Sequence, residues 1–184
     1  MSFSVSARPR AAMLGAVAAL LLCAYPALRA ADPPAVGTPA PNFKLTSQEG
    51  TPVSLSDFKG QWVVLYFYPK DFTKGCTIEA HNFQQDLAKY QQIHAVILGV
   101  SVDTSDSHKD FCTKEGLNFK LLADTDHSVS TTYGSTMLFG DKTFSARNTF
   151  LIDPKGTIVK EFIKVDPSKH SEEVLAALGD LQKK

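Results

Sequence analysis

The sequence predicts an α/β protein in which a central mixed β-sheet is flanked by helices on both faces. Two nearly unbroken apolar runs, "QWVVLYFYP" and "AVILGVSVD", have the length and β-branched content of strands buried on both faces. The segments between them have helical spacing, and strands separated by helices indicate parallel crossovers. A hairpin near the end adds antiparallel pairs. The predicted order of the main elements is strand, helix, strand, helix, strand, hairpin, helix.

The first thirty residues have the features of a secretory signal peptide. Arg8 and Arg10 give a positive start, residues 11–25 form an apolar run without charge, and Leu28–Ala30 ends in a small residue where signal peptidase could cut. A membrane anchor is the alternative, but the run is shorter than the ~20 residues that a spanning helix needs. We expect cleavage after Ala30, export to the bacterial periplasm, and no membrane association afterwards.

Charge and length restrict the function of the remaining chain. The whole sequence has 19 basic and 19 acidic side chains, and the signal segment holds three arginines and no acid, so the rest has a net charge near −3. Nothing basic enough to bind nucleic acid remains. Residues 31–41 include four prolines and are predicted to be a linker. Residues 42–184 are long enough for one domain with a complete core.

The domain is predicted to begin with a hairpin. The short alternating runs "NFKL" and "TPVSL" are separated by Gln48-Glu49-Gly50, a typical turn. The first buried strand ends at Pro69, because proline cannot donate to the sheet ladder. A helix follows, since the next apolar residues recur three or four positions apart on one side: Ala80, Phe83, Leu87 and Tyr90.

In the second half of the domain, capping residues and turns help to predict the helices and strands. A helix over Ser105–Glu115 has Ser105 or Asp106 available as its cap and Gly116 where it would end. The remaining elements are a strand over 95–103, a strand over 119–124, a hairpin over 148–163 about the turn 153–156, and a helix over 168–181.

The number and positions of the cysteines make Cys76 a candidate reactive thiol. Without Cys23 of the signal segment, Cys76 and Cys112 are the two thiols left, too few for a disulfide framework. There is no C-x-x-C, and the surrounding residues do not suggest a metal site. Cys76 lies where a central strand has ended and a helix is about to begin, so the helix dipole and the unpaired N–H groups favour its thiolate.

The residues around Cys76 also favour a reactive thiol. Lys70 and Lys74 add positive charge, Thr73 can present a hydroxyl to the sulfur, and Gly75 lets a reagent approach the backbone closely. A buried structural cysteine is the alternative, because that is the commoner role of a lone thiol in a core.

The segment Pro69-x-x-x-Thr73-x-x-Cys76 resembles the peroxiredoxin signature. The wider stretch "FYPKDFTKGCTIEA" is similar to the bacterioferritin-comigratory-protein class, also called the Q type, and the similarity continues through "SHKDFCTKEGLNFKLLAD" and "RNTFLIDPKGTI". This resemblance implies a thioredoxin fold of the peroxiredoxin type. It also implies reduction of hydrogen peroxide and alkyl hydroperoxides by a peroxidatic cysteine, with no metal or organic cofactor.

The resemblance implies a role for each matching residue. Cys76 is the nucleophile, Thr73 hydrogen-bonds the peroxide, Pro69 shields the site, and Arg147 polarises the thiolate and the substrate. Glu79 belongs to the pattern as a site-supporting residue. Taken singly, Arg147 could be a surface ion-pair partner, Thr73 a helix cap and Pro69 a strand terminator.

Two positions depart from the class. Lys74 stands where the class commonly has proline, and His81 occupies the position of the resolving cysteine of many members. A subset with this cysteine on the next helix implies that Cys112 resolves Cys76 through an intramolecular disulfide. Such a bond needs Cα atoms within ~7 Å, so we expect local unwinding. Cys112 could instead be an apolar core residue, which leaves a one-cysteine enzyme.

The resemblance leaves partners and competing functions open. It implies a thioredoxin-like reductant, periplasmic for an exported chain, with glutathione or another small thiol as the alternative. We expect a monomer, although apolar residues in a loop at 139–144 could form a dimer contact. The competing enzyme is a secreted thiol-disulfide oxidoreductase, whose usual C-x-x-C would need a cysteine at Thr73. A binding module with a permanent Cys76–Cys112 bridge is the non-enzymatic alternative.

Overall fold

A computed structural model describes residues 1–2 and 32–183. It contains a seven-stranded mixed sheet of order β2-β1-β5-β4-β3-β8-β9 and a separate two-stranded ribbon, β6-β7. The strands are β1 (Lys44–Ser47), β2 (Pro52–Ser54), β3 (Trp62–Phe67), β4 (Ala95–Ser101), β5 (Lys120–Ala123), β6 (Thr136–Phe139), β7 (Lys142–Ser145), β8 (Asn148–Ile152) and β9 (Ile158–Ile163). Residues 3–30 of the predicted signal peptide lie outside the described part, so the signal peptide stays a prediction.

The helices lie between the strands as the alternation of patterns predicts. They are α1 (Lys74–Gln85), α2 (Leu87–Gln92), α3 (Ser105–Glu115), α4 (Ser128–Thr132) and α5 (His170–Leu181), with a 3₁₀ turn at Leu55–Phe58. Within the described residues, none of these helices has the length and apolar character needed to cross a bilayer.

The two apolar runs form the parallel centre of the sheet. β3 pairs in parallel with β4, and β4 in parallel with β5, while β8 adds to the other edge of β3 in the antiparallel direction. The mixed sheet was therefore predicted correctly, because the β-strand–helix–strand units leave only parallel pairing to the central strands.

Alternation along β3 divides the core between the two faces of the sheet. Val63, Leu65 and Phe67 pack on one face with Phe150 and Tyr133. On the other face, α1, α3 and α5 contribute side chains to a second core cluster. Its members from β3 and the following residue are Val64, Tyr66 and Tyr68, and it includes both Cys76 and Cys112. Both thiols therefore belong to the same side of the sheet.

Two details differ from the sequence-based prediction. The single helix expected from Ala80 to Tyr90 is broken at Asp86 into α1 and α2, and the Asp86 carboxylate accepts hydrogen bonds from Ser171 and Lys89. The cap of α3 is Thr104, whose hydroxyl accepts from the Ser107 N–H, and not Ser105 or Asp106. Gly116 ends this helix in the left-handed conformation, φ 67°, as predicted.

Two segments are more ordered than their composition suggests. The stretch around residues 139–144, expected as a loop, is the β6-β7 hairpin, with Leu138 and Phe139 each 75% exposed. Its sequence signal is weak because both faces are largely exposed. The predicted linker is also tied to the domain at its end, because Gly37 donates to the Ile158 carbonyl and Ala40 to that of Gly156.

Candidate active site

Cys76 lies in the first turn of α1, whereas the sequence placed it just before the helix begins. It is the third residue of the helix, after the N-cap residue Thr73, and only 1% of it is exposed. β3 and the loop 69–73 bring it to one end of the sheet. At this position the helix dipole and the first free N–H groups favour negative charge on the sulfur.

Two side chains point hydrogen-bond donors at the sulfur. Thr73 Oγ1 is 2.8 Å and Arg147 Nη2 is 3.0 Å from Cys76 Sγ. The Thr73 hydroxyl is also 3.0 Å from the Lys70 carbonyl, so its single proton serves one acceptor at a time. It makes no capping hydrogen bond, which leaves it available to the sulfur or a bound molecule.

Glu79 holds Arg147 against the sulfur. It lies three residues after Cys76 on the same side of α1, and its Oε2 accepts from Arg147 Nη1 at 2.5 Å. The guanidinium therefore spans carboxylate and sulfur with its two Nη groups, a use of arginine that a lysine could not reproduce. Arg147 immediately precedes β8. This strand is far from Cys76 in sequence but pairs with β3, the strand that leads to the Cys76 loop.

Gly75 is required by the position of Arg147. A Cβ at this residue would lie 2.9 Å from Arg147 Nη2 and 3.7 Å from Pro167 Cγ. The space that the sequence analysis assigned to an approaching reagent is thus partly filled by the guanidinium. Since Nη2 is the end of a flexible side chain, it would move away from Cys76 Sγ rather than unfold the helix.

We therefore expect Gly75→Ala to separate activity from stability. The rate constant of Cys76 with hydrogen peroxide should fall about tenfold or more as a charge-assisted donor leaves the sulfur, while the melting temperature stays the same or rises, because alanine favours helix. Gly179→Ala in α5 is the matched control, since its Cβ would meet nothing within 4 Å. A wild-type rate constant in Gly75→Ala would contradict this role.

Burial controls the charge of Glu79. Its removal from water raises the pKa of the carboxyl to about 7, although Arg147 acts in the opposite direction. Among the described residues, its Oε1 has no hydrogen-bond partner. The carboxyl consequently takes up a proton more readily in the folded state than in the unfolded chain, where its pKa is near 4.5.

The raised pKa of Glu79 predicts a pH-dependent stability. Because the folded pKa lies above the unfolded one, the stabilisation is fully present below about pH 4.5 and is lost as the pH rises through about 7. The free energy of unfolding of wild type relative to Glu79→Gln should therefore fall by roughly 2 to 3 kcal/mol between pH 5 and pH 8. Urea unfolding at both pH values measures this; a constant difference would contradict it.

Cys112 lies on α3 and is a free, buried thiol, as is Cys76. Burial raises the pKa of Cys112 to about 12, and the negative charges of Asp71 and Glu49 act in the same direction. At neutral pH it is thus a protonated thiol packed in the core. Its packing beside Phe111 fits the core-residue alternative in this folded form.

Alkylation of Cys112 should report its burial directly. In the full chain carrying Cys23→Ser and Cys76→Ser, we expect iodoacetamide at pH 8 to modify Cys112 at least about a hundredfold more slowly than after unfolding in guanidinium, since only the thiolate reacts. The unfolded sample is the internal control. Equal rates in the two conditions would show that the thiol is exposed in the native state.

The other residues named in the sequence-based prediction make no hydrogen bond to the Cys76 sulfur. Pro69 is half-buried at the start of the loop after β3, and Lys70 and Lys74 are exposed. His81 points to the surface, where its Nε2 lies 2.9 Å from the Glu115 carboxylate. The structure thus brings Thr73, Arg147 and Glu79 together around Cys76.

A second group of polar residues next to this site was missed by the sequence analysis. Asp71 is 2% exposed and accepts hydrogen bonds from Tyr68, Ser107 and His108. The only sequence signal was an aspartate inside the loop that precedes the cysteine. Its partners on α3 are 36 and 37 residues away, so no local pattern connects them.

Comparisons with known proteins agree on one family. Residues 36–161 match the AhpC/TSA family. The chain is 40% identical to peroxiredoxin Bcp of Bacillus subtilis over 153 residues, which cover 81% of this chain and 98% of the relative. It is 41% identical to the chloroplastic peroxiredoxin Q of Sedum lineare over 148 residues, 79% of this chain and 78% of the relative.

Solved structures agree with these sequence relatives. The crystal structure of a cysteine-to-serine mutant of Xylella fastidiosa PrxQ superimposes with a TM-score of 0.77 at 36% identity, covering 80% of this chain and 97% of the other. The bacterioferritin comigratory protein of Xanthomonas campestris, solved in trapped intermediate and ligand complexes that concern alkyl peroxide reduction, superimposes with a TM-score of 0.71 at 36% identity, covering 75% and 90%.

Proposed function

Because the chain belongs to the AhpC/TSA family and is a Q-type peroxiredoxin with a thioredoxin fold, we propose that Cys76 and Cys112 carry out its peroxidase reaction as an atypical two-cysteine pair. The family supports a thiol-dependent peroxidase. One observation carries the assignment of Cys76: Thr73 and Arg147 both place donors within 3.0 Å of its sulfur.

The first step uses this geometry. The Cys76 thiolate attacks one oxygen of the peroxide, the O–O bond breaks, and the other oxygen leaves as water or an alcohol after taking a proton, so that Cys76 becomes a sulfenic acid. Arg147 Nη2 stabilises the thiolate and the charge that develops on the leaving oxygen, and the Thr73 hydroxyl orients the peroxide. Glu79 keeps the guanidinium in place. Pro69 shields the site from water.

The second step needs Cys112 to reach the sulfenic acid. The Cys112 sulfur attacks Cys76 Sγ, a disulfide forms, and the sulfenic oxygen leaves as water. Since both thiols are buried in separate helices, the first turn of α1 and part of α3 must unwind for this step. Exposure would also bring the Cys112 pKa back towards its ordinary value and so make its thiolate accessible.

The relatives support the substrate class and the kind of reductant. We propose hydrogen peroxide and alkyl hydroperoxides as substrates, and the alkyl peroxide reduction named for the Xanthomonas protein supports the second. A thioredoxin-like dithiol would reduce the disulfide by exchange. We further propose that the chain acts as a monomer in the bacterial periplasm after cleavage near Ala30, where that dithiol would be a periplasmic protein.

A single turnover with thiol counting tests the two-cysteine assignment. The full chain with Cys23→Ser is reduced, mixed with one equivalent of hydrogen peroxide, and analysed by alkylation and mass spectrometry. We expect a Cys76–Cys112 disulfide in this chain and a dimedone-trapped sulfenic acid on Cys76 when Cys112 is changed to serine. A stable sulfenic acid with Cys112 still reduced would indicate the one-cysteine enzyme instead.

A further inference from the structure

Asp71 joins the segment that carries Cys76 to the helix that carries Cys112. Its Oδ1 accepts from Tyr68 OH at 2.8 Å, and its Oδ2 accepts from Ser107 Oγ at 2.7 Å and lies 2.9 Å from His108 Nδ1. Because a carboxylate oxygen accepts hydrogen bonds, His108 Nδ1 is the donor of this pair. Asp71 N–H donates in turn to Asp103 Oδ2 at 2.9 Å, just before α3.

The positions of these residues connect the two cysteines mechanically. Asp71 precedes Cys76 by five residues in the loop that leads into α1. His108 precedes Cys112 by four residues, one turn of α3, and therefore shares a helix face with it. The Asp71–His108 hydrogen bond therefore joins the loop just before α1 to the turn of α3 that precedes Cys112.

The linkage is buried and is incompletely satisfied. Asp71 is 2% and His108 0% exposed. Among the described residues, His108 Nε2 has no hydrogen-bond partner. A buried imidazole with one unpaired nitrogen is costly to keep in place, so this contact holds the two segments together without being as stable as a fully paired network.

Backbone strain adjoins the linkage. Phe72, between Asp71 and Thr73, has a positive φ of 59°, which is unfavourable for a bulky residue. Its ring rests edge-on against Phe111 of α3 at 5.0 Å between centroids, and Lys114 Nζ lies 5.3 Å above it. Opening of the loop would release this strain and separate the loop from α3.

We propose that Asp71, Ser107 and His108 form a latch that holds the Cys76 loop on α3 while peroxide is reduced and that must open before Cys112 can reach Cys76. The inference rests on the proposed role of Cys112. The three are positioning residues, since none of them touches the reacting sulfur. The latch sets how long the sulfenic acid survives in the closed form.

That lifetime decides between two fates of Cys76. With the latch open, the Cys112 sulfur bonds to Cys76 Sγ and water leaves. With the latch closed, the sulfenate attacks a second peroxide, gains its oxygen to become a sulfinic acid, and releases water or an alcohol. A weaker latch should consequently favour the disulfide over the sulfinic acid.

The test compares variants of the full chain that all carry Cys23→Ser. His108→Leu removes the donor to Asp71, and His108→Asn keeps an N–H donor near the same place. Ser107→Ala is a milder second variant that loses one hydrogen bond of the latch. Tyr90→Phe is the matched control, because it loses a buried hydrogen bond of 2.9 Å to the Ser171 carbonyl, away from α3.

Rapid quenching with dimedone, alkylation and mass spectrometry would follow both steps, and a peroxide titration would give the sulfinic acid formed per turnover. In His108→Leu we expect disulfide formation about tenfold faster and the sulfinic acid about tenfold lower, with sulfenic acid formation within twofold of wild type. Ser107→Ala should shift the same way by a few fold. His108→Asn and Tyr90→Phe should stay within about threefold of wild type.

The outcomes separate the latch from the proposed function. If wild type forms no Cys76–Cys112 disulfide, the role of Cys112 and the latch both fall. If wild type forms it but His108→Leu and Ser107→Ala leave the partition unchanged or slow the disulfide, the latch alone falls. An equal acceleration in Tyr90→Phe would also overturn it, because general destabilisation would then explain the effect.

Discussion

Replacing Cys76 by serine should reduce peroxide consumption by at least about a thousandfold, to the level of the chain without a reactive thiol. A serine hydroxyl at this position is not ionised at neutral pH and is a far weaker nucleophile than a thiolate. The two donors at 2.8 and 3.0 Å would stay in place but would have no anion to stabilise. A stopped-flow or competition assay on the pre-reduced protein measures the rate.

Cys112→Ser is the informative control for this variant. It should consume one equivalent of peroxide at the wild-type rate, because the first step does not involve Cys112, and then stop as the sulfenic acid. Fast consumption by Cys76→Ser would place the reactive thiol elsewhere and would contradict the site. If neither wild type nor Cys112→Ser consumes peroxide, the thiol-disulfide oxidoreductase and the permanent bridge become the competing assignments.

Loss of the Arg147 guanidinium should cost about 10²- to 10³-fold in the rate constant with peroxide, the usual effect of removing one preorganised donor from an active site. Arg147→Gln alone would leave Glu79 buried without its cation, which threatens the fold. The measurement is therefore made on Arg147→Gln combined with Glu79→Gln. Glu79→Gln alone is the matched reference, since it keeps the guanidinium but loses the carboxylate that positions it.

The difference between these two variants isolates the contact of Arg147 with the sulfur. We expect the double variant to react at least about thirtyfold more slowly than Glu79→Gln, with similar melting temperatures. Arg147→Lys should not restore the rate, because an ammonium group cannot span Glu79 and Cys76 as the two Nη groups do. A double variant as fast as Glu79→Gln would remove Arg147 from the chemistry.

How much of this could be predicted from the sequence depended on how local each feature is. The central strands were correct because their apolar runs are long, and the span of α3 was correct because Gly116 marks its end. The β6-β7 hairpin was missed because both of its faces are largely exposed and its residues show no clear alternation. The break at Asp86 was not predicted, and the hydrogen-bond partner of its carboxylate, Ser171, is 85 residues away.

The contacts of the active site also differ in how far the sequence could predict them. The approach of Thr73 to Cys76 follows from a spacing of three residues at a helix start and could be predicted directly. Arg147, 71 residues from Cys76, entered only through the family resemblance. The contacts of Asp71 with α3 could not be predicted, because a hydrogen bond between a loop and a helix leaves no periodic pattern in the sequence.

The two core clusters, one on each face of the sheet, differ in their relation to the cysteines. Both thiols belong to the cluster on one face, whereas the cluster around Val63, Leu65, Phe67 and Phe150 on the other face contains neither. If Cys76 and Cys112 join as proposed, the unwinding would be confined to the first face, and the second face could stay folded while it occurs. Substitutions intended to raise the melting temperature would therefore be placed in the cluster on this second face, where added rigidity should not slow turnover.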